Sequence, residues 1–373
     1  MIKIKNIIVL YPSFEKGGAT ANLINFVNQC VEEKINTYLI SNINNHEKKI
    51  FFRKNVMLVN NKKYRNNNFN RFLTSFNSIF YLLSLFKKIK SKNSVIVSFQ
   101  SHILPIMLCK IFNRKIIIRN SEDILGATKY ADNKISAFFI FILKVFIYNF
   151  SNGIITNSTK SKKSLDLITF KNKTKMIYNP YLKKIFNNNK NKRDNVILSV
   201  GRLCKQKNQK IVIKAFFLFL KKFPNYKLVL IGHGKDEFVL KKLCKELKIS
   251  RKVKFKGWVT DPGTYYKTSK ILIFPSLYEG LPNTLIEAVN FNLPCISSRC
   301  SGAEDILTLK HGTFVPTNNY EELSKTMIES IFNYHKILIK NKMIKKKLSR
   351  FLINTQVSKY ISYCDKISSN LGK

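Results

Sequence analysis

Carboxylates are scarce in this chain. Asp and Glu together number 21 against 66 Lys and Arg over 373 residues, a formal net charge of +45. No Asp-x-Asp pair occurs, and the five histidines are scattered rather than set at ligand spacing, so the sequence offers no ready-made metal site. Seven cysteines are an odd number with no CxxC pair, the closest two being Cys295 and Cys300, which suggests neither a disulfide framework nor a zinc site and points to a reducing compartment. Long apolar runs are missing too. The richest, Ser136 to Phe150, is interrupted by Lys144 and falls short of the roughly 20 apolar residues needed to span a bilayer. The apolar start, Met1 to Leu10, is too short for a signal peptide and reads as a first strand. No low-complexity tract or solenoid period is visible.

The positive balance accompanies heavy use of Lys, Asn, Ile and Phe, as an AT-biased coding sequence produces without selection for charge. It predicts attraction to polyanions in general. An anionic membrane surface, worth about 1 kcal/mol per nearby basic residue, ranks ahead of nucleic acid. No helix-turn-helix, zinc-knuckle or RNP-type pattern accompanies the charge, so no specific nucleic-acid partner is expected.

Short β-branched runs alternate with helical patterns from end to end, the rhythm of βα units and parallel sheets. The first series is Asn6–Leu10, Thr37–Ile40, Val56–Val59, Val95–Phe99, Ile116–Arg119 and Ile154–Thr156. The second is Val196–Val200, Lys227–Ile231, Val253–Phe255, Ile271–Phe274, Cys295–Ser297 and Thr313–Val315. Between them the polar stretch from Phe186 to Asp194 is the best linker candidate. The expected organisation is an N-terminal domain over 1–185, a linker over 186–194, a C-terminal domain over 195–340 and a tail over 341–373 that looks helical from Tyr334 to Ile367. The fold class is α/β, with two Rossmann-like parallel-sheet domains that leave a cleft at the carboxyl ends of their strands.

The most informative stretch runs from Phe274 through Glu279, Gly280, Leu281, Pro282, Asn283 and Thr284 to Glu287. A buried strand ends, a Gly/Pro loop follows, and a helix opens near Asn283 or Thr284, presenting free backbone N–H groups and a positive dipole end to an anion. Glu287, four residues after Asn283, lies one turn deeper on the same helix face, placed to accept hydrogen bonds from two ribose hydroxyls. A sugar leaving a nucleotide diphosphate puts about two negative charges on that group, to be neutralised by a metal or by fixed cations. Arg202 and Lys207, in the loop after a strand, are candidates for the second solution, Arg202 being able to bind two oxygens at once.

Two glutamates seven residues apart in a strand-loop-helix setting resemble the EX7E signature of glycosyltransferase family 4. Four further stretches support the resemblance: Gly201-Arg202 followed by Lys207, the turn at Gly232-His233, the loop Gly257-Trp258, and the glycine-rich Lys16-Gly17-Gly18 near the start. The resemblance implies a GT-B fold with C-terminal helices packing back toward the N-terminal domain. The N-terminal domain would hold the acceptor and the C-terminal domain the nucleotide sugar. It implies a retaining, metal-independent glycosyl transfer from a nucleotide diphosphate sugar, with uridine ahead of guanosine as the base and no cofactor. The acceptor would be a saccharide or a lipid-linked one, in surface polysaccharide or glycolipid synthesis at the inner face of the cytoplasmic membrane. Arg202, Lys207 and Glu279 are the implied catalytic residues. Gly17, Gly18, Gly201, Gly232, Gly257, Trp258, Gly280, Leu281, Asn283, Thr284 and Glu287 are the implied donor contacts.

The N-terminal half departs from the family. Where many members carry a histidine, the strand end here reads Arg119-Asn120-Ser121-Glu122-Asp123. Asn120, Glu122, Asp123 and His102 are open candidates for acceptor or base contacts. Arg71 to Lys90 and Ser136 to Phe150 read either as helices packed on a sheet or as membrane-surface segments. The rival functions are a GT-B-like nucleotide-sugar epimerase and a non-catalytic basic protein binding nucleic acid or lipid.

Overall fold

The computed structural model describes residues 4–15, 17–59, 71–170, 173–187 and 193–369, and Lys16 of the glycine-rich stretch lies outside them. The chain divides into two compact units, Met1–Lys183 with Phe351–Lys373, and Lys184–Arg350.

The first unit carries a parallel sheet of β1 (Asn6–Leu10), β2 (Asn36–Ile40), β3 (Met57–Val59), β4 (Ser94–Ser98), β5 (Ile116–Asn120), β6 (Gly153–Thr156) and β7 (Thr174–Met176), ordered β3-β2-β1-β4-β5-β6-β7. The second carries β8 (Val196–Val200), β9 (Lys227–Ile231), β10 (Val253–Phe255), β11 (Ile271–Phe274), β12 (Cys295–Ser298) and β13 (Thr313–Val315), ordered β10-β9-β8-β11-β12-β13. Both are doubly wound, Rossmann-like sheets. Central strands such as β1, β5 and β11 contain continuous apolar runs because helices cover both of their faces. In each sheet the strand order reverses once, between β1 and β4 and between β8 and β11. The loops leaving those neighbouring strands diverge there, which opens a crevice at their carboxyl ends.

On one face of the first sheet, Leu23, Phe26 and Val27 of helix Gly18–Glu32 meet Val357, Tyr360 and Ile361 of helix Ile353–Ser369. On the other, helices Arg71–Lys88, Ile103–Ile111 and Lys134–Tyr148 contribute Leu85, Ile106 and Ile147. The second unit packs Phe216 and Phe219 of helix Gln209–Leu220 with Leu323 and Met327 of helix Tyr320–Phe332.

Two local expectations change. β7 was not foreseen, because Thr-Lys-Met carries little apolar signal. The tail is not helical throughout: helix Tyr334–Lys345 gives way to a 3-10 turn, Leu348–Phe351, before helix Ile353–Ser369 begins. Outside partners compete for the backbone at the break. The Phe351 carbonyl accepts from the N–H groups of Tyr181 (3.2 Å) and Leu182 (2.9 Å), and Leu352 forms a bridge with Leu182. The last helix therefore belongs to the first unit and the preceding one to the second.

Of the polar stretch 186–194, residues 188–192 lie outside the described ones. Its described ends are tied into the second unit. The Phe186 N–H donates to Asn290 Oδ1 at 3.0 Å, and Arg193 donates to the carbonyls of Tyr266, Ser269 and Phe291, each at 2.8 Å.

Arg119, at the end of β5, is buried, and its described hydrogen-bond acceptors are all neutral: Tyr360 Oη at 3.0 Å, Asn179 Oδ1 at 2.6 Å and Ser121 Oγ. A buried guanidinium depends on every such acceptor, since an unmet N–H in the interior keeps its full desolvation cost. Tyr360→Phe preserves the ring's contact with Phe26 and removes one acceptor. It is expected to cost about 1.5–3 kcal/mol, read in urea unfolding as a lower midpoint for the first unit with an unchanged m-value.

Candidate functional site

In the second unit the loops after β8 and β11, the two strands at the order reversal, are fastened to each other. Lys207 Nζ stands 2.5 Å from Glu279 Oε1, and the two side chains are only 15% and 11% exposed. The ammonium also lies 5.0 Å from the centre of the Phe274 ring. Gln206 makes two more ties, donating from Nε2 to the Tyr278 carbonyl at 2.9 Å while its own carbonyl accepts from the Leu277 N–H at 2.8 Å. Asn208, in the left-handed region with φ 56°, ends the Lys205–Lys207 turn, starts the next helix and reaches the Thr317 carbonyl at 2.7 Å. Arg202 is left exposed with its guanidinium 3.3 Å from Gln206 Oε1. The loop after β8 thus carries both a mostly buried cation, Lys207, and an exposed one, Arg202.

The ends of β8, β9 and β10 also meet, at backbone distance. Gly232 has φ +135°, and a Cβ there would fall 2.0 Å from the Gly201 carbonyl oxygen. Its N–H donates to the Gly257 carbonyl at 2.8 Å. Next to this junction Trp258 presents an exposed indole and His233 an exposed ring, His233 Nδ1 lying 3.1 Å from Glu237 Oε2. At the other strand pair, a Cβ on Gly302 would fall 2.2 Å from the Gly280 carbonyl oxygen, so the loop after β12 closes against the Glu279–Gly280 turn.

Helix Asn283–Asn290 starts directly after Pro282. Leu281 is buried, Asn283 and Thr284 are partly exposed on the opening turn, and Glu287 follows on the same face. Tyr266 donates its phenol to Glu287 Oε2 at 2.5 Å. The Tyr266 ring is itself buried and stacked on Phe291, with centroids 5.9 Å apart. The carboxylate is therefore held from behind by a side chain with little freedom of its own. Sequence reasoning missed Tyr266, Gln206 and Gly302. Gln206 sits between two residues already singled out, whereas nothing local marks Tyr266 as the neighbour of a residue 21 positions away.

The other candidates lie in the first unit. Gly17 precedes helix Gly18–Glu32, with nothing within 4 Å of where its Cβ would stand. His102 Nδ1 lies 2.9 Å from Ser98 Oγ, and its ring meets Tyr148 edge-on. Burial, helped by the cations Lys144 and Arg119, pushes its pKa down to about 3. Asn120 is buried and donates to the Glu122 carbonyl at 2.5 Å. Glu122 pairs with Lys144 at 3.2 Å, and the buried Asp123 accepts from Ser164 Oγ at 3.3 Å. All four thus have internal partners at the carboxyl edge of β4 and β5. Among the described residues, no three His, Cys, Asp or Glu side chains gather as a metal site would require.

Residues 181–348 match the model of the family glycosyl transferases group 1. An uncharacterized glycosyltransferase of Methanocaldococcus jannaschii is 34% identical over 225 residues, covering 55% of this chain and 54% of that protein. A Campylobacter jejuni α-1,4-N-acetyl-D-galactosaminyltransferase, named for a saccharide acceptor on diphospho-undecaprenol, is 32% identical over 179 residues, 46% of this chain and 49% of its own. The chain spans about half the length of these curated relatives. Among solved structures, Anabaena HepE in complex with UDP and glucose superposes with a TM-score of 0.78 over 97% of this chain and 100% of its own, at 16% identity. The shared architecture is the GT-B fold.

Two outcomes are expected from this geometry. Gly232→Ala forces a methyl into the Gly201 carbonyl and is expected to cost about 2–3 kcal/mol or more in urea unfolding of the second unit, whereas Gly17→Ala, facing open space, is neutral to within about 0.5 kcal/mol. A histidine whose folded pKa lies near 3 instead of the ordinary 6.5 is held neutral by the fold. Its contribution is complete above pH 6.5 and lost as pH falls toward 3, because the unfolded chain then binds the proton more readily. The acid-side slope of stability against pH is expected to flatten in His102→Asn.

Proposed function

We propose that this chain, whose residues 181–348 match the model of the family glycosyl transferases group 1, is a retaining, metal-independent glycosyltransferase. It moves a sugar from a nucleotide diphosphate donor, a uridine one by preference, to a saccharide or lipid-linked acceptor in surface polysaccharide or glycolipid synthesis, working as a peripheral protein at an anionic membrane surface. The observation that carries the reading is the presence in one unit of the Lys207–Glu279 pair, the exposed Arg202, the opening turn of helix Asn283–Asn290 and the Glu287 carboxylate. Support for the donor class comes from the family match and from the fold shared with a protein solved with UDP. Support for the acceptor class comes from a relative named for a diphospho-undecaprenol substrate.

Each residue then has a chemical task. Arg202 and Lys207 meet the diphosphate oxygens, where charge grows as the bond from the sugar's anomeric carbon to the phosphate oxygen breaks. Backbone N–H groups at Gly280, Leu281 and Asn283 add fixed dipoles at the same place, and Thr284 extends the turn. Lys207 is engaged by Glu279 at rest, so its long side chain is ordered before donor arrives and little rotamer freedom remains to be lost. Glu279 also accepts hydroxyl hydrogen bonds from the transferred sugar. The ribose binds to Glu287, oriented by Tyr266, and the base rests on the exposed Trp258 beside the close-packed turns at Gly201, Gly232 and Gly257. Gly17 and Gly18, at the opening of helix Gly18–Glu32, are proposed as further donor contacts. The acceptor oxygen joins the anomeric carbon on the face the phosphate leaves, and the departing phosphate oxygen takes the acceptor proton. No side-chain base is then required, in keeping with a half-buried His102 held neutral by its surroundings.

UDP is expected to raise the thermal unfolding temperature of the chain in EDTA as well as in buffer containing Mg²⁺. Glu287→Ala is expected to weaken UDP about 10²-fold and Tyr266→Phe about three- to tenfold, one lost charged hydrogen bond being worth about 1.5–3 kcal/mol. Arg202→Ala should lower kcat by about 10²–10³ with a smaller effect on UDP binding. Absence of UDP stabilisation, or turnover of a UDP-sugar only when a divalent ion is added, would refute the reading.

A further inference from the structure

Helix Lys134–Tyr148 has its charge and its apolar surface reversed with respect to water. Of its 15 residues only Ile147 and Tyr148, in the last turn, are buried. Its outward side carries Ile135 (73% exposed), Phe138, Phe139 (66%), Ile142, Leu143 and Phe146 (68%), and Phe150 continues the strip. The one charge within the apolar run, Lys144, is turned inward, its side chain only 20% exposed and its ammonium paired with Glu122. A solvated surface helix does the opposite, keeping its charges outside and its large side chains in the core.

The strip is not isolated. Helix Ile103–Ile111 packs beside it on the same face of the sheet and exposes Met107 and Ile111, with Phe112 following, and the next helix of the layer, Arg71–Lys88, exposes Phe76 and Phe80. Patches of this extent are rare on surfaces that remain in water. No described helix is long and apolar enough to cross a membrane.

Charge identifies what covers this face. The helices Arg71–Lys88, Ile103–Ile111, Ile124–Lys129 and Lys134–Tyr148 contain no Asp or Glu. Exposed lysines stand at their ends, namely Lys87, Lys88, Lys110, Lys129 and Lys134. A second copy of the chain would bring an equally basic surface against them. An anionic bilayer offers acyl chains to the phenylalanines and phosphates to the lysines, and the two attractions add.

We propose that this face of the first unit is a monotopic membrane-docking surface, in which the outward side of helix Lys134–Tyr148 enters the acyl boundary and the lysine rim engages anionic headgroups. Its purpose rests on the reading of a lipid-linked acceptor above. Its observations are independent of the donor site.

The test uses the purified full chain with vesicles of phosphatidylcholine alone or mixed with phosphatidylglycerol, scored by co-flotation. The parent chain is expected to float with the mixed vesicles and to be released in part by salt. Phe139→Glu/Phe146→Glu is expected to weaken this binding about tenfold or more, while UDP still raises its unfolding temperature as in the parent. Lys242→Glu/Lys245→Glu makes a larger charge change on exposed residues of the second unit and is expected to retain most of the binding. In a Trp258→Phe background, Phe139→Trp should give an emission that shifts to the blue only with the mixed vesicles. Equal flotation of the phenylalanine variant and the parent overturns the proposal. So does equal loss in the lysine variant, or a parent dimer that the phenylalanine variant dissociates without lipid. A parent chain that floats but gains no stability from UDP would refute the transferase reading and leave the docking surface standing.

Discussion

One ion pair organises the second unit. Lys207 and Glu279 come from loops that leave adjacent strands at the sheet's point of reversal, where two segments of backbone would otherwise separate. A mostly buried pair of this kind contributes little net stability, because desolvation offsets most of the attraction, but loss of either partner strands a charge. Its effect is positional. It sets the depth of the Glu279 turn, which sets where helix Asn283–Asn290 begins and hence where Glu287 stands. The hydrogen bonds of Gln206 and the close approach of Gly302 to Gly280 hold the same turn from two other sides.

The parts of this arrangement contiguous in sequence could be read without coordinates. A β-branched run, a Gly/Pro loop and an amphipathic helix are local signals, and parallel strands buried on both faces are continuous apolar runs. This is why twelve of the thirteen strands were legible and the three-residue Thr174–Met176 was not. What escaped depends on side chains meeting across elements. Nothing near Tyr266 in the sequence announces a carboxylate 21 residues on, and the apolar spacing between Tyr334 and Ile367 gave no sign that Phe351 would lend its carbonyl to Tyr181 and Leu182. In the first unit the strand end from Asn120 to Asp123 was legible as polar but not as already engaged, its residues holding partners on two other segments or on each other.

The two units put similar sheets to different physical uses. At the carboxyl edge of the second, exposed groups remain available in Arg202 and Trp258. At the corresponding edge of the first, polar groups are spent on one another, with His102 uncharged and Arg119 surrounded by neutral acceptors. The reactive surplus of the first unit lies instead on one of its helical layers, as apolar area with a cationic border.

The return of helix Ile353–Ser369 to the first unit makes the second an insertion within the first. Residues 184–350 build a core of their own, encoded between the two segments that make up the first unit. The sheet that begins at Asn6 is completed only by Val357, Tyr360 and Ile361, which follow the whole second unit in the chain and give Phe26 and the Arg119 guanidinium the neighbours that make their burial tolerable. The unit that the chain begins first is thus the one whose contacts span the greatest sequence separation, and the closure of its core carries the larger entropic cost.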